Sequence, residues 1–171
     1  MSGTLKHLPK LLVLAAILMA IEKTASAATN CSVHTTGNQV GINFGAYDSL
    51  GTLNQDTLGS ITIKCVGQKG TTNYQISLTA GNGAFSSRRL LSGSSVLNYN
   101  LYTEPTRSVV WGNGNSGTAT ISGSLTIAGG QGQDTGTATA VHTIYGRIFG
   151  GQHSIQAGSY TDNNIIVSVN Y

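Results

Sequence analysis

Apolar and polar positions alternate with a period of two along most of the chain, each run bounded by glycine or a polar cluster. Val40, Ile42 and Phe44 alternate with Gly41 and Asn43, and Ile61, Ile63 and Cys65 alternate with Thr62 and Lys64. Tyr74, Ile76 and Leu78 follow, then Leu97, Tyr99 and Leu101, then a threonine-rich run over 118–127. A longer run spans Thr137 to Phe149, with Val141, Thr143, Tyr145 and Arg147 on one side. The last one, Ile165, Val167, Val169 and Tyr171, reaches the end of the sequence. Beyond residue 27 no window shows a capped helical period. About eight short strands separated by turn signals predict an all-β fold, a single β-sandwich.

The first 27 residues read as a secretory leader. Lys6, His7 and Lys10 precede an unbroken apolar run from Leu11 to Ile21, and Ala25-Ser26-Ala27 supplies small residues at a cleavage site. That run is too short for a bilayer, which needs ~20 residues. The expectation is a signal peptide over 1–27, one domain over 28–171, and no membrane span in the mature chain. Both cysteines, Cys31 and Cys65, would remain. Two thiols in an exported protein favour one disulfide, and no ligand spacing around either supports the alternative, a metal pair.

Composition narrows the function. Charged residues make up 9% of the chain, which excludes a charge-laced coiled coil and a charged disordered tail. The 23 glycines have no triplet period, so they mark turns and not collagen. Past residue 27 six basic side chains face five acidic ones, and only Arg88-Arg89 forms a doublet. Such a surface offers no basic stripe for phosphates, so no nucleic-acid partner is expected.

Chemistry-bearing residues are sparse. His34, His142 and His153 accompany many serines, but no Gly-x-Ser-x-Gly elbow exists, and Glu104 is the only glutamate beyond the leader. An enzyme is not expected, nor a cofactor. Gly129 to Asp134 fits the first six places of a calcium β-roll repeat. One copy without its apolar follower reads as a flexible loop. Trp111, with Tyr102 and Tyr160, is a candidate glycan-stacking residue; inside a sandwich a lone Trp is otherwise core.

Several linked motifs resemble one family. Cys31-Ser32-Val33 followed by Gly41-Ile42-Asn43-Phe44-Gly45-Ala46-Tyr47-Asp48 is similar to the opening of the spore coat protein U domain, shared with subunits of archaic chaperone–usher pili. Ile61 to Cys65 resembles its second cysteine strand. Leu97-Asn98-Tyr99-Asn100-Leu101-Tyr102 and Trp111-Gly112-Asn113-Gly114 resemble its central signature. Tyr145-Gly146-Arg147-Ile148, Gln152, Ala157 to Asp162 and Val167 to Tyr171 resemble its tail. Phe149 departs from the proline of many relatives.

The resemblance implies an immunoglobulin-like sandwich lacking its last strand, completed by a strand from a PapD-like periplasmic chaperone and later from another pilus subunit, with an outer-membrane usher as a further partner. An acceptor groove lined by Val40, Ile42, Phe44, Ile165, Val167 and Val169 is expected, with the Tyr171 carboxylate as chaperone anchor. After cleavage at Ala27 only three residues would precede Cys31, too few for a donor strand. That predicts a terminal, tip-like subunit of a surface fibre, with a self-sufficient secreted coat protein or a carbohydrate-binding adhesin module as alternative readings.

Overall fold

A computed structural model of the chain describes residues 28–34, 41–129, 132 and 134–171. Its strands are β1 (Asn30–His34), β2 (Gln55–Gln68), β3 (Gly70–Leu78), β4 (Arg88–Ser92), β5 (Ser95–Tyr102), β6 (Ile121–Ile127), β7 (Thr135–Ile148) and β8 (Val167–Asn170). All ladders are antiparallel. They form a five-stranded sheet in the order β1-β2-β7-β5-β4 and a three-stranded sheet in the order β6-β3-β8. The chain is an immunoglobulin-like all-β sandwich. Among the described residues no helix is long and apolar enough to cross a membrane.

The alternation seen in the sequence decides which face each strand buries. β2 and β7 pair along their whole lengths, from Gln55 opposite Ile148 to Gln68 opposite Thr135. Ile61, Ile63 and Cys65 point inward, as do Ile144 and Ile148, while Val141, Thr143 and Arg147 stand on the outer face. There Asp56 is gripped by Arg147 (Nε to Oδ1 2.7 Å, Nη2 to Oδ2 2.9 Å) and by Arg107 (Nη1 to Oδ2 3.2 Å). The hydrogen bonds from Arg147 hold the Asp56 carboxyl below its ordinary range, with Arg107 adding to the effect. Cys31 lies directly opposite Cys65 and the two are bonded, which clamps the edge strand β1 onto β2. In a chain-entropy account the 34-residue separation stabilises by roughly 3–4 kcal/mol.

Three expectations need correction. β1 and β4 are short strands that the alternation does not single out. The run around Ile42 is not a ladder strand: Val40 lies outside the described residues, and Gly41 makes one isolated bridge with Ser60. Trp111 and Tyr102 are not surface stacking residues. Trp111 is fully buried and its Nε1–H donates to the Ile76 carbonyl at 3.1 Å, while Tyr102 is 6% exposed. Trp111 joins the two sheets, because its main-chain N–H donates to Leu101 O at 2.9 Å. Tyr160, the third candidate, is half-buried with its hydroxyl donated to Gln156 O.

Candidate functional site

The site is a cleft between the sheets. One wall is an arm, residues 41–47, that continues past β1 along the free edge of β2. Thr57 Oγ1 donates to Asn43 O at 3.3 Å, and the Gln55 amide donates to Phe44 O. Two glycines let the arm lie this close. A Cβ on Gly59 would stand 2.6 Å from Gly41 O, and one on Gly146 would stand 2.3 Å from Ile42 Cδ1 and 2.9 Å from the Phe44 ring. Ile42 and Phe44 therefore lean over β7, and Phe44 meets Tyr99 edge to face with centroids 5.7 Å apart. The far end of the arm is pinned by Tyr47, whose hydroxyl donates to Phe149 O and accepts from Gln152 N–H, both at 3.1 Å.

The facing wall is the segment that leads into β8. Thr161 exchanges two backbone bonds with Leu91 on the edge of the large sheet (2.8 and 3.0 Å), and the chain then crosses to the small sheet. Asp162 fixes the crossing: it accepts from Tyr99 Oη at 2.9 Å, Asn82 N at 3.2 Å and Asn164 N at 3.0 Å. Burial, with the Asp162 charge beside it, pushes the Tyr99 phenol far above its ordinary value, so it stays a donor. Ile165 and Val167 project into the cleft. The floor is Leu97, Tyr99, Leu101 and Ile148, with Leu90 and Ile155 alongside, and the space enclosed is about 1170 Å³.

An edge strand of each sheet borders the cleft. Among the described residues β8 pairs only with β3, and β1 only with β2. Ile42, Phe44, Ile165 and Val167 line the cleft, whereas Val169 packs against the core beyond it and Tyr171 is exposed at the chain end. Val33, Leu90, Leu97, Leu101, Ile148 and Ile155 also line it without having been expected. Leu97, Leu101 and Ile148 sit on strands whose alternation was visible, whereas Val33, Leu90 and Ile155 lie on segments too short or irregular to show a period.

Arg88, half of the one basic doublet beyond the leader, is fully buried. Its Nη1 donates to Asn100 Oδ1 at 2.6 Å, and its Nη2 to Trp111 O at 2.6 Å and Thr79 O at 3.0 Å. Burial lowers its pKa, with Tyr99, Asp162 and Tyr102 opposing the shift. Gln152 extends the large sheet past β7 by bonding both Asn98 N (2.7 Å) and Asn98 O (2.9 Å) through its amide. Asn98 and Asn100 of the central motif and Gln152 of the tail thus make interior joints of the sandwich. Glu104 closes the loop over Tyr102, accepting from Thr106 and from the N–H groups of Ser108 and Val109, which holds its pKa down to about 2. No three His, Cys, Asp or Glu side chains among the described residues come together to hold a metal.

The sequence profile of the Spore Coat Protein U domain matches residues 17–167. The chain belongs to the spore coat protein U family. The match begins inside the segment read as a leader. A search of curated proteins finds no match for this spore coat U chain. Among solved structures it is similar to a chain of the CsuC–CsuE chaperone–tip adhesion subunit pre-assembly complex, from the archaic chaperone–usher Csu pili of Acinetobacter baumannii. The TM-score is 0.51 at 19% identity, over 84% of this chain and 40% of that one. The spore coat U chain therefore spans less than half the length of that structure, and the likeness is one of fold.

Proposed function

We propose that this spore coat U domain is a strand-accepting structural subunit of a chaperone–usher surface fibre, without catalysis, exported through the periplasm. The observation that carries the reading is the cleft bounded by two free strand edges. A donated strand laid there would hydrogen-bond the free edge of β8, as a fourth strand of the small sheet, while its alternate side chains entered the apolar space. Five wall side chains, Ile42, Phe44, Ile155, Ile165 and Val167, are half-buried. No more than about a third of each is exposed, so covering the remainder, at ~1.5–3 kcal/mol for a whole side chain, contributes at most about 3–5 kcal/mol before the strand's own side chains are counted. A domain's net stability is itself about 5–15 kcal/mol.

The donor is first a PapD-like chaperone, with the exposed Tyr171 carboxylate as its anchor, and then another fibre subunit delivered at an outer-membrane usher. Membership of the family and the origin of the similar structure in a chaperone–subunit complex support this reading. We also infer a terminal, tip-like position, because residues 28–30 contain no alternating apolar strand; the N-terminal sequence of the exported protein tests it, and a start before Ile21 favours a shaft subunit instead. The decisive experiment on the cleft is Val167→Asp. A carboxylate on an apolar wall is expected to abolish periplasmic accumulation of the subunit with its chaperone. Normal yields, or cooperative high-temperature melting of the unaccompanied monomer, would contradict a required donor strand.

A further inference from the structure

The two most exposed large hydrophobic side chains described are Leu50 (84%) and Leu53 (85%), and both stand on one loop beside the arm. The loop is held rigidly. Leu50 N–H bonds Asp48 Oδ1 at 2.9 Å, Gly51 N–H bonds Asp48 O at 3.2 Å, and Gly51 O accepts from Gly151 N–H at 3.1 Å. Asn54 Oδ1 accepts from Gly150 N–H at 3.0 Å, and Ser49 O lies 2.6 Å from His153 Nδ1. Gly150 permits the contact, since a Cβ there would stand 2.2 Å from Thr52 O. The leucines are therefore presented outward by a fixed frame, with the entropy of ordering already spent before any partner arrives.

Two leucines make a patch far smaller than a stable interface, which buries about 1,200–2,000 Å² in total. The patch is continuous with a larger one: Tyr47 lines both the strand-accepting cleft and the shallow, roughly 440 Å³ hollow beneath Leu50 and Leu53. We infer that Leu50 and Leu53 dock the folded body of the PapD-like chaperone whose strand first occupies the cleft, through an apolar patch on that body near the point where its strand leaves the groove. This rests on the strand-accepting reading. It goes beyond it in separating the contact made by the inserted strand from a second contact made by the donor's body.

A two-armed experiment distinguishes the two. The mature subunit and its Leu50→Asp/Leu53→Asp variant are refolded with a synthetic peptide of about twelve residues alternating Val and Thr, and separately with the intact PapD-like chaperone of the same host. The variant is expected to bind the peptide within about twofold of the parent and the chaperone about tenfold more weakly. Equal binding of parent and variant to the chaperone overturns the docking role. So does a variant loss confined to adsorption on octyl-agarose, which would make the loop an anchor for apolar surfaces. Failure of the parent to bind the peptide removes the strand-accepting reading itself, and the docking role with it.

Discussion

Gly146 is the point where the arm is seated, and its substitution tests that geometry directly. It sits inside β7 with paired neighbours on both sides, opposite Thr57 and Leu101, so its Cα has no room to retreat. A methyl there would stand 2.3 Å from Ile42 Cδ1 and 2.9 Å from Phe44 Cε1 and Cζ. Carbon atoms prefer ~3.5–4.0 Å, so the arm must yield by an ångström or more. Overpacking costs ~1–3 kcal/mol, and because the crowded atoms are side-chain ends beside open space, Gly146→Ala belongs near about 1–2 kcal/mol. Ile42→Ala alone, at a half-buried site, should cost about 1–2 kcal/mol, below the ~2–5 of full burial. In the double variant the new methyl occupies the space that Ile42 vacates. The combined loss should fall short of the sum by about 1 kcal/mol. Urea midpoints for the four proteins, at a common m-value, read this coupling. Additivity within about 0.5 kcal/mol would show that the arm does not rest on Gly146.

Trp111→Phe removes the indole donor from a buried carbonyl and leaves a void between the sheets. A loss of about 2–4 kcal/mol in urea unfolding is expected, and an unchanged midpoint would refute its joining role. The pH dependence should carry a signature of His142. Its Nε2 lies 2.8 Å from Tyr74 Oη across the sandwich, and desolvation lowers its pKa below the ordinary 6.5. The unfolded chain then binds the proton first. Stability should fall as pH drops through 6.5 toward the lower folded value and level off below it. His142→Gln should flatten that part of the profile relative to the parent; superimposable profiles would remove the assignment.

Much of the fold was legible because burial on a pleated strand obeys a period of two, and β2, β3, β5 and β7 are long enough to show it. β1 and β4 were not: five residues with two apolar positions each are too few to establish a period. The Cys31–Cys65 pairing was legible from compartment and count. The burial of Arg88 was not legible for a physical reason, since it depends on carbonyls from Thr79 and Trp111 that no local window connects to it. Trp111 offered the same ambiguity, and only the position of Ile76 O resolves it toward the interior. Ile42, Phe44, Ile165 and Val167 could be assigned inward from alternation alone. Whether an inward residue is covered or faces a gap depends on the width of the opposite sheet, which is a global property.

That width carries the functional argument further. Strands lie ~4.8 Å apart, so a five-stranded sheet facing a three-stranded one leaves roughly 10 Å of inner face without a strand above it. The segment around Trp111, bonded to both Leu101 and Leu78, closes part of that span. Ile42, Phe44 and Ile165 lean in from the sides, which is why the floor residues Leu97, Leu101 and Ile148 are only 1–3% exposed although the cleft is open. A small polar ligand would leave these leaning walls half wet and the backbone of β8 unpaired on one side. Only an extended peptide brings, at each step along the cleft, an N–H and a C=O for the free edges and a side chain for the apolar space. The pattern it needs follows from the walls: apolar residues at every second position, and small ones opposite Phe44, where the ring already fills the width above Gly146.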